Sequence, residues 1–498
     1  MALTAALLGW MFDGFEMGLF PLIGGPALNA LLGPDGAGDT SKWFGIIIAV
    51  FLVGAATGGV FFGWLGDKIG RVRAMALSIF TYAIFTGFCG FATEAWHIAA
   101  LRFIASLGMG GEWSLGVALV NELWPGKSRA LVAGLIGAAA NVGFLAVGLL
   151  SLGMNTFITN LEAFLMWTGL KQTWVDALLA DSGWRFLMIS GAFPALMIFF
   201  IRLFVPESEK WEEEKQKGGT THWAKVDLFG VLAGCIAALV IIAFWSPYGA
   251  AFLKRFMSDG MVTTVSILVS IIGLGIALVG FLLPVRKYLE RAKAAGSLSV
   301  GGEKNVVRYM LLGASLAAVA MLGTWGSIQW AAKWAFELAP DPARHAKEYT
   351  QITLASGAIV GTILAALCAG RFGRRITFVG MCIGSIASCL VLYLGNDSFG
   401  PQFLVCYFIA GAMTASFYGW FPLYLPELFP TAVRATGQGF AFNFGRIVAA
   451  IGLLQTATLI AFFDGNFAKA GSVLTVIYVI GIFIIWLGPE TRGKALPE

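Results

Sequence analysis

Glu122-Leu-Trp-Pro-Gly-Lys-Ser-Arg129-Ala130 recurs in the second half of the chain as Glu427-Leu-Phe-Pro-Thr-Ala-Val-Arg434-Ala435. Each copy follows the fourth apolar stretch of its half and precedes the fifth. A second pair keeps the same order. Gly63-Trp-Leu-Gly-Asp67-Lys68-Ile-Gly70-Arg71 follows the second apolar stretch, and Gly370-Arg-Phe-Gly-Arg-Arg375 stands at the corresponding place later. Two matches at similar offsets imply a duplicated unit. Duplicated helical halves are common in secondary transporters, whose binding site lies between the repeats near the midplane.

The composition names the solvent in which such a unit folds. Of 498 residues, 58% are hydrophobic and 12% are charged, against about 25% charged in soluble domains. Mean hydropathy is +0.80. That much apolar surface needs a bilayer. The 64 glycines suit helices that approach closely inside one. The chain therefore reads as an all-α polytopic membrane protein.

Fourteen stretches are long and apolar enough to span, from 3–24 at the start to 470–488 at the end. Two of them, 226–246 and 261–284, form a central two-helix hairpin between two blocks of six. Polar linkers bracket it at Pro206–Gly219 and Arg286–Gly296. The expected organisation is a first half at 1–205, linkers and hairpin at 206–305, and a second half at 306–498. The segment 154–183, with Trp167 and Trp174, reads as an interfacial amphipathic helix. Pro422 and Pro426 are expected to kink the twelfth span.

Charge sets the orientation. Lys68, Arg71, Arg73, Lys127, Arg129, Arg371, Arg374, Arg375, Arg434, Arg492 and Lys494 fall on one side. The positive-inside rule makes that side cytoplasmic and places both termini there. The opening run has no basic leader and is interrupted by Asp13 and Glu16, so it reads as a first span and not as a signal peptide. Short loops and no targeting segment point to a bacterial-type cell membrane.

Acids within a span are costly and by default functional. Asp13 and Glu16, three residues apart, share a helical face. Asp13 lies about 15 Å into its helix at 1.5 Å per residue, close to the midplane. Two neighbouring buried acids can hold one proton between them and release it. The plainer reading makes one of them the partner of an arginine. Arg102, in the fourth span, is a candidate for that partner, or for holding a substrate carboxylate in its planar fork. Glu112 either relays a proton or packs among Gly108, Gly110 and Gly111. Arg446, near Gln438, is a second candidate anion ligand, with pairing to an acid or to carbonyls as the alternative, and Asn443 beside it is a candidate for binding the same substrate. Trp325, Gln329 and Trp330 are candidates to line a cavity, although Trp330 equally suits the interfacial belt.

These motifs resemble the major facilitator superfamily. The core GWLGDKIGRVR at 63–73 places Gly63, Leu65, Asp67, Gly70 and Arg71 as that family's loop signature does. Pro206-Glu207-Ser208 and Pro489-Glu490-Thr491-Arg492-Gly493-Lys494 look like sugar-porter half endings. Gly9-Trp-Met-Phe-Asp13-Gly-Phe-Glu16, Gly108-Met-Gly-Gly-Glu112-Trp113 and the extra hairpin resemble the sialate/lactate-type metabolite–proton symporters, whose usual second acid is Asp where this chain has Glu16. The resemblance implies two six-helix halves, alternating access, a proton-sensitive Glu16–Arg102 pair, and gate ion pairs among Asp67, Arg71, Glu122, Arg129, Glu427 and Arg434.

The expected activity is secondary transport: proton-coupled symport of a small organic acid, monocarboxylate or sialic-acid-like. A sugar or polyol porter, coupled or facilitative, is the alternative. Partners would be the substrate, the proton and the lipid bilayer, with the chain acting as a monomer. No cofactor is called for. The six cysteines lie in apolar stretches, the three histidines are far apart, and no phosphate loop follows a strand. Neither an enzyme nor a nucleic-acid binder is indicated.

Overall fold

The computed structural model describes residues 2–124, 128–196, 204–295, 302–328, 331–339 and 345–497. Helices account for nearly all of them, and no strand occurs among the described residues. The first half holds α1 (Ala2–Leu32), α2 (Thr40–Ile69), α3 (Arg71–Phe88), α4 (Ala95–Leu123), α5 (Arg129–Leu152), α6 (Met154–Trp167) and α7 (Gln172–Ser190). A short polar helix, α8 (Glu209–Gln216), follows. The hairpin consists of α9 (Leu228–Trp245), the short α10 (Pro247–Leu253) at its tip, and α11 (Asp259–Ala294). The second half holds α12 (Gly302–Gly326), α13 (Ala331–Leu338), α14 (Ala346–Phe372), α15 (Arg374–Leu394), α16 (Pro401–Ala415), α17 (Phe417–Tyr424), α18 (Arg434–Asn443), α19 (Gly445–Phe462), α20 (Phe467–Leu474) and α21 (Ile477–Ile484).

Twelve helical segments among the described residues are long and apolar enough to cross a membrane. Two expected spans are not among them, for different reasons. The stretch 184–204 enters α7, but its residues 197–203 lie outside the described set. The stretch 435–463 is built as α18 and α19, with the helix interrupted at Phe444. The twelfth span also breaks, but not first at its prolines. α16 ends at Ala415 and α17 starts at Phe417, with Pro422 inside α17. Pro426 falls in the 3-10 turn Leu425–Leu428 that follows. The 154–183 region forms α6 and the part of α7 that precedes a non-helical break at Ala180–Gly183, two helices and not one, with Trp167 and Trp174 exposed.

The repeat seen in the sequence is also a repeat of contacts. Gly70 and Gly373 join α2 to α3 and α14 to α15 with φ of 114° and 98°, a region that a glycine enters without steric cost. The backbone N–H groups of Arg71 and Val72 donate to Glu207 Oε1 at 2.8 and 3.2 Å. Those of Arg374 and Arg375 donate to Glu490 at 3.0 and 3.2 Å. Each glutamate thus satisfies the orphan donors of a helix start and complements its dipole. For Glu490, burial opposes ionisation, but the N–H donors of Arg374, Arg375 and Arg492 outweigh it and hold the carboxyl below its ordinary value. Its contribution is therefore complete above the ordinary glutamate range and is lost as the pH falls through its own lowered value.

Between the halves, α5 packs along α14, and α2 packs along α18 and α19. The linker before the hairpin and the hairpin's tip are each tied to the first half. Lys68 Nζ donates to the Trp223 carbonyl at 3.2 Å, and Tyr248 Oη donates to Asp39 Oδ2 at 3.0 Å. Against the second half it makes apolar contacts, such as the Phe281 edge on Phe444. The outer sides of α9 and α11 leave Phe229, Leu232, Ile236, Ile271 and Ile272 exposed, as lipid-facing helices do.

Candidate functional site

The two halves enclose a cavity of about 510 Å³, within the ordinary range for small-molecule sites. Its deep end is an aromatic floor. Trp113 of α4 and Phe442 of α18 stack with ring centroids 3.7 Å apart and planes 9° apart. That stack joins one half to the other. Trp10 and Asp13 of α1 line one side, and Trp325 of α12, Tyr418 of α17 and Arg446 of α19 line the other. From there the lining runs along α5 and α14 to Ser151, Lys347 and Glu348, away from the end that carries the duplicated Glu-x-x-Pro motifs.

Asp13 and Arg446 are the charged groups of the deep end. Each is nearly buried, at 6% and 7% exposure. Asp13 Oδ1 and Arg446 Nη1 have no hydrogen-bond partner. Arg446 lies against the Phe442 ring, 5.7 Å from its centroid, where the π-face attracts a cation. A buried ionic group left unpaired is expensive. Two of opposite sign, on the two sides of one cavity, therefore mark places where something else completes the contacts.

Behind the wall stands a second charged layer. Glu16 Oε1 and Arg102 Nη1 pair at 2.9 Å. The guanidinium sits between Phe20 and Phe51, 4.6 and 4.8 Å from their centroids. Thr86 Oγ1 donates to the same carboxylate oxygen at 3.2 Å. The pair read from the resemblance is therefore present. It also occupies the fork that was a candidate for a substrate carboxylate, and Arg102 is not among the residues lining the cavity. Glu112 is buried beside Asp13. Its Oε1 fills the place where a side chain on Gly9 would stand, and its Oε2 has no partner.

Of the other candidates, Trp325 lines the cavity. Asn443 does not: its Nδ2 donates to the Gly110 and Gly439 carbonyls at 3.2 and 3.0 Å, fastening α18 to α4. Gln438 does similar work on the Ser114 carbonyl. Gln329 and Trp330 lie outside the described residues.

At the end of the Glu-x-x-Pro motifs, the six gate candidates come together in two ion-pair clusters, one of Asp67, Arg71, Glu122 and Arg434 and one holding Arg129 and Glu427. Arg71 reaches Asp67 at 2.5 Å and Glu122 at 3.2 Å. Across the seam, Arg434 reaches Glu122 at 2.7 Å and Arg129 reaches Glu427 at 3.4 Å. Asp67 also crosses the seam, accepting from Thr436 N at 2.8 Å and Thr436 Oγ1 at 2.6 Å at the start of α18. Arg434 has no exposure, and its remaining donors go to the Phe429 and Pro497 carbonyls. This end is closed by direct bonds between the halves.

Arg374 was missed as a member. It holds Glu427 with Nη2 at 2.6 Å and Nε at 3.0 Å, as Arg71 holds Glu122. The signal was available, because aligning Gly70-Arg71 with Gly373-Arg374 makes the two arginines counterparts. The same alignment puts Gly370 where Asp67 stands, so the Asp67 contact to the facing half has no mirror image.

The family model described as "Sugar (and other) transporter" matches residues 1–222 and 338–498. A cis,cis-muconate transport protein of Acinetobacter baylyi is 26% identical, over 88% of this chain and 81% of its own. The sialic acid transporter NanX of Escherichia coli is 29% identical over 55% of this chain and 61% of its own. Among solved structures, the proton:xylose symporter XylE of E. coli superposes with a TM-score of 0.65 at 19% identity, covering 99% of this chain and 97% of that one. At that identity the likeness concerns the fold.

Proposed function

The chain belongs to the Sugar (and other) transporter family, and from that membership we propose that it carries a small organic acid together with a proton by alternating access. The observation that carries this reading is a pair of opposite charges lining one cavity. Arg446 of the second half and Asp13 of the first line it, and each has one buried atom with no hydrogen bond among the described residues. A guanidinium with an unused donor is a seat for an anion. An acid with an unused oxygen is a seat for a proton.

Coupling follows from charge. An anion entering alone would leave Asp13 and the substrate as neighbouring negatives, whereas protonated Asp13 removes that repulsion. Proton and anion are thus favoured together, which is symport. The Glu16–Arg102 pair lies one helical turn further along α1, where it can respond to the charge on Asp13. Names of relatives agree with the substrate class, since both muconate and sialic acid are carboxylates.

The ionic network acts as a gate in this scheme. It joins the halves at the end that the basic loops assign to the cytoplasm, so the conformation faces outward. A few kcal/mol of difference between the two closed ends suffices to bias such a two-state equilibrium. The protein would act as a monomer in the cell membrane, with both termini cytoplasmic.

The test is flux in liposomes carrying an internal pH dye. Lactate, benzoate, N-acetylneuraminate and glucose are added separately, with empty liposomes as the background. Lumenal acidification beyond background with at least one of the acids is expected. Uptake of labelled glucose without acidification by any compound would replace the proposal with a facilitative sugar porter.

A further inference from the structure

Asp13 and Glu16 share a helical face, but Glu16 is bound to Arg102 and is not free to share a proton with its neighbour. A different acid takes that place. Gly9 lies four residues before Asp13 on α1, so the two positions look out on one face. A Cβ on Gly9 would collide with Glu112 Oε1. The α4 carboxyl therefore fills the notch that the missing side chain leaves, beside Asp13.

Three polar atoms meet there without a hydrogen-bond partner: Asp13 Oδ1, Glu112 Oε2 and, from α3, Tyr82 Oη. Glu112 and Tyr82 are buried and do not line the cavity, so substrate does not complete their contacts. Other elements bring no charge to this spot. α2 presents Ala55 and Phe62 to the neighbouring Gly110 and Gly111. The cations of the region are Arg102, held by Glu16, and Arg446, on the other side of the cavity from Asp13.

Hydrogen bonding then sets the proton count. An ionised carboxylate only accepts, so two of them side by side cannot satisfy each other. A buried negative charge that no cation faces is costly besides. One proton removes both difficulties, because a protonated carboxyl also donates. Glu112, with no cation among the described residues around it, is the member that keeps this proton.

We propose that Glu112 is a second proton-holding residue, paired with Asp13 through one O–H···O bond, with the Tyr82 hydroxyl as a further donor to the dyad. The proposal rests on the reading of Asp13 as the proton seat and adds the group that sets how tightly that seat binds. When loaded, both carboxyls are protonated and neutral. Release of the Asp13 proton to the open side leaves one proton and one negative charge in the dyad, opposite Arg446. The two acids titrate as a unit, the dyad never carries two charges, and one proton moves per cycle.

Infrared difference spectra of the full chain in lipid, recorded over a pH series, test this without any substrate. The carboxyl band lost in Asp13→Asn identifies the Asp13 titration. Glu112→Leu removes the donor and should move the midpoint of that band toward alkaline pH by about 1–2 units, the worth of a hydrogen bond to a charged group. Glu112→Gln keeps a donor and should stay near the wild-type midpoint, which a purely structural role for Glu112 would not distinguish from leucine. Gly9→Ala pushes the Glu112 carboxyl aside with both acids present. It should shift the midpoint in the same direction as leucine, and it carries the test if the leucine variant does not fold. An unchanged midpoint in Glu112→Leu or Gly9→Ala, or an alkaline shift in Glu112→Gln equal to that of leucine, would overturn the dyad and leave Asp13 as a proton seat on its own. The absence of any titrating band that Asp13→Asn removes would overturn both, while the organic-acid reading is judged separately by the liposome flux.

Discussion

Arg446→Gln is expected to lower the apparent affinity for a carboxylate substrate by roughly a hundredfold or more. Removing one member of a buried charge pair typically costs about 2–5 kcal/mol. The side chain is buried and one guanidinium nitrogen has no partner, so the free protein loses little that holds it together. The loss should therefore show in substrate binding and not in folding. Half-saturation of uptake, measured beside the melting temperature, separates the two. The same variant should leave any neutral competitor unaffected. An Arg446→Gln protein that still saturates at the wild-type concentration would remove the anion site from this wall.

This effect also shows where reading the sequence stopped. Two membrane arginines, Arg102 and Arg446, were both candidates to hold a substrate anion, Arg102 as the alternative to its pairing with Glu16. The difference is what meets them across the bundle. Arg102 is enclosed by Glu16 and two phenyl rings, and Arg446 is not. That fact belongs to packing between helices distant in sequence. Asn443 was likewise read as a ligand because it is polar and near Arg446, yet its amide is turned onto α4. By contrast, the helical membrane fold was legible from composition, and the meeting of the charged residues around Glu122 and Glu427 was legible because duplication writes the same residues twice. Arg374 and the helix-capping Glu207 and Glu490 could have been added by the same alignment. The break at Phe444 has no such signal, as neither a proline nor a charge marks it.

Arg434→Gln is the second large effect, and it concerns conformation. Arg434 bonds Glu122 across the seam and two carbonyls of its own half from a fully buried position. Breaking a buried pair by removing one partner costs about 3–5 kcal/mol. Glu122 would keep Arg71, at 3.2 and 3.4 Å, so the first half stays satisfied on its own and the seam loses its tightest ion pair. The population should move toward the form open at the termini end. Spin labels placed on either side of the seam, at the exposed Arg73 and Arg371, should report longer distances in the variant. Unchanged distances would mean that the network packs the loops without biasing the gate.

Asp13 tests the central claim of coupling most directly. Exchange of labelled for unlabelled substrate across a liposome membrane needs only alternating access, whereas accumulation down a pH gradient needs a proton to travel with the substrate. Asp13→Asn, which keeps the shape and removes the titratable group, is predicted to retain exchange and lose accumulation. A variant that accumulates substrate as wild type does would contradict the assignment of Asp13 as the proton site and, with it, the pairing of Asp13 and Arg446 as the coupled halves of one binding event.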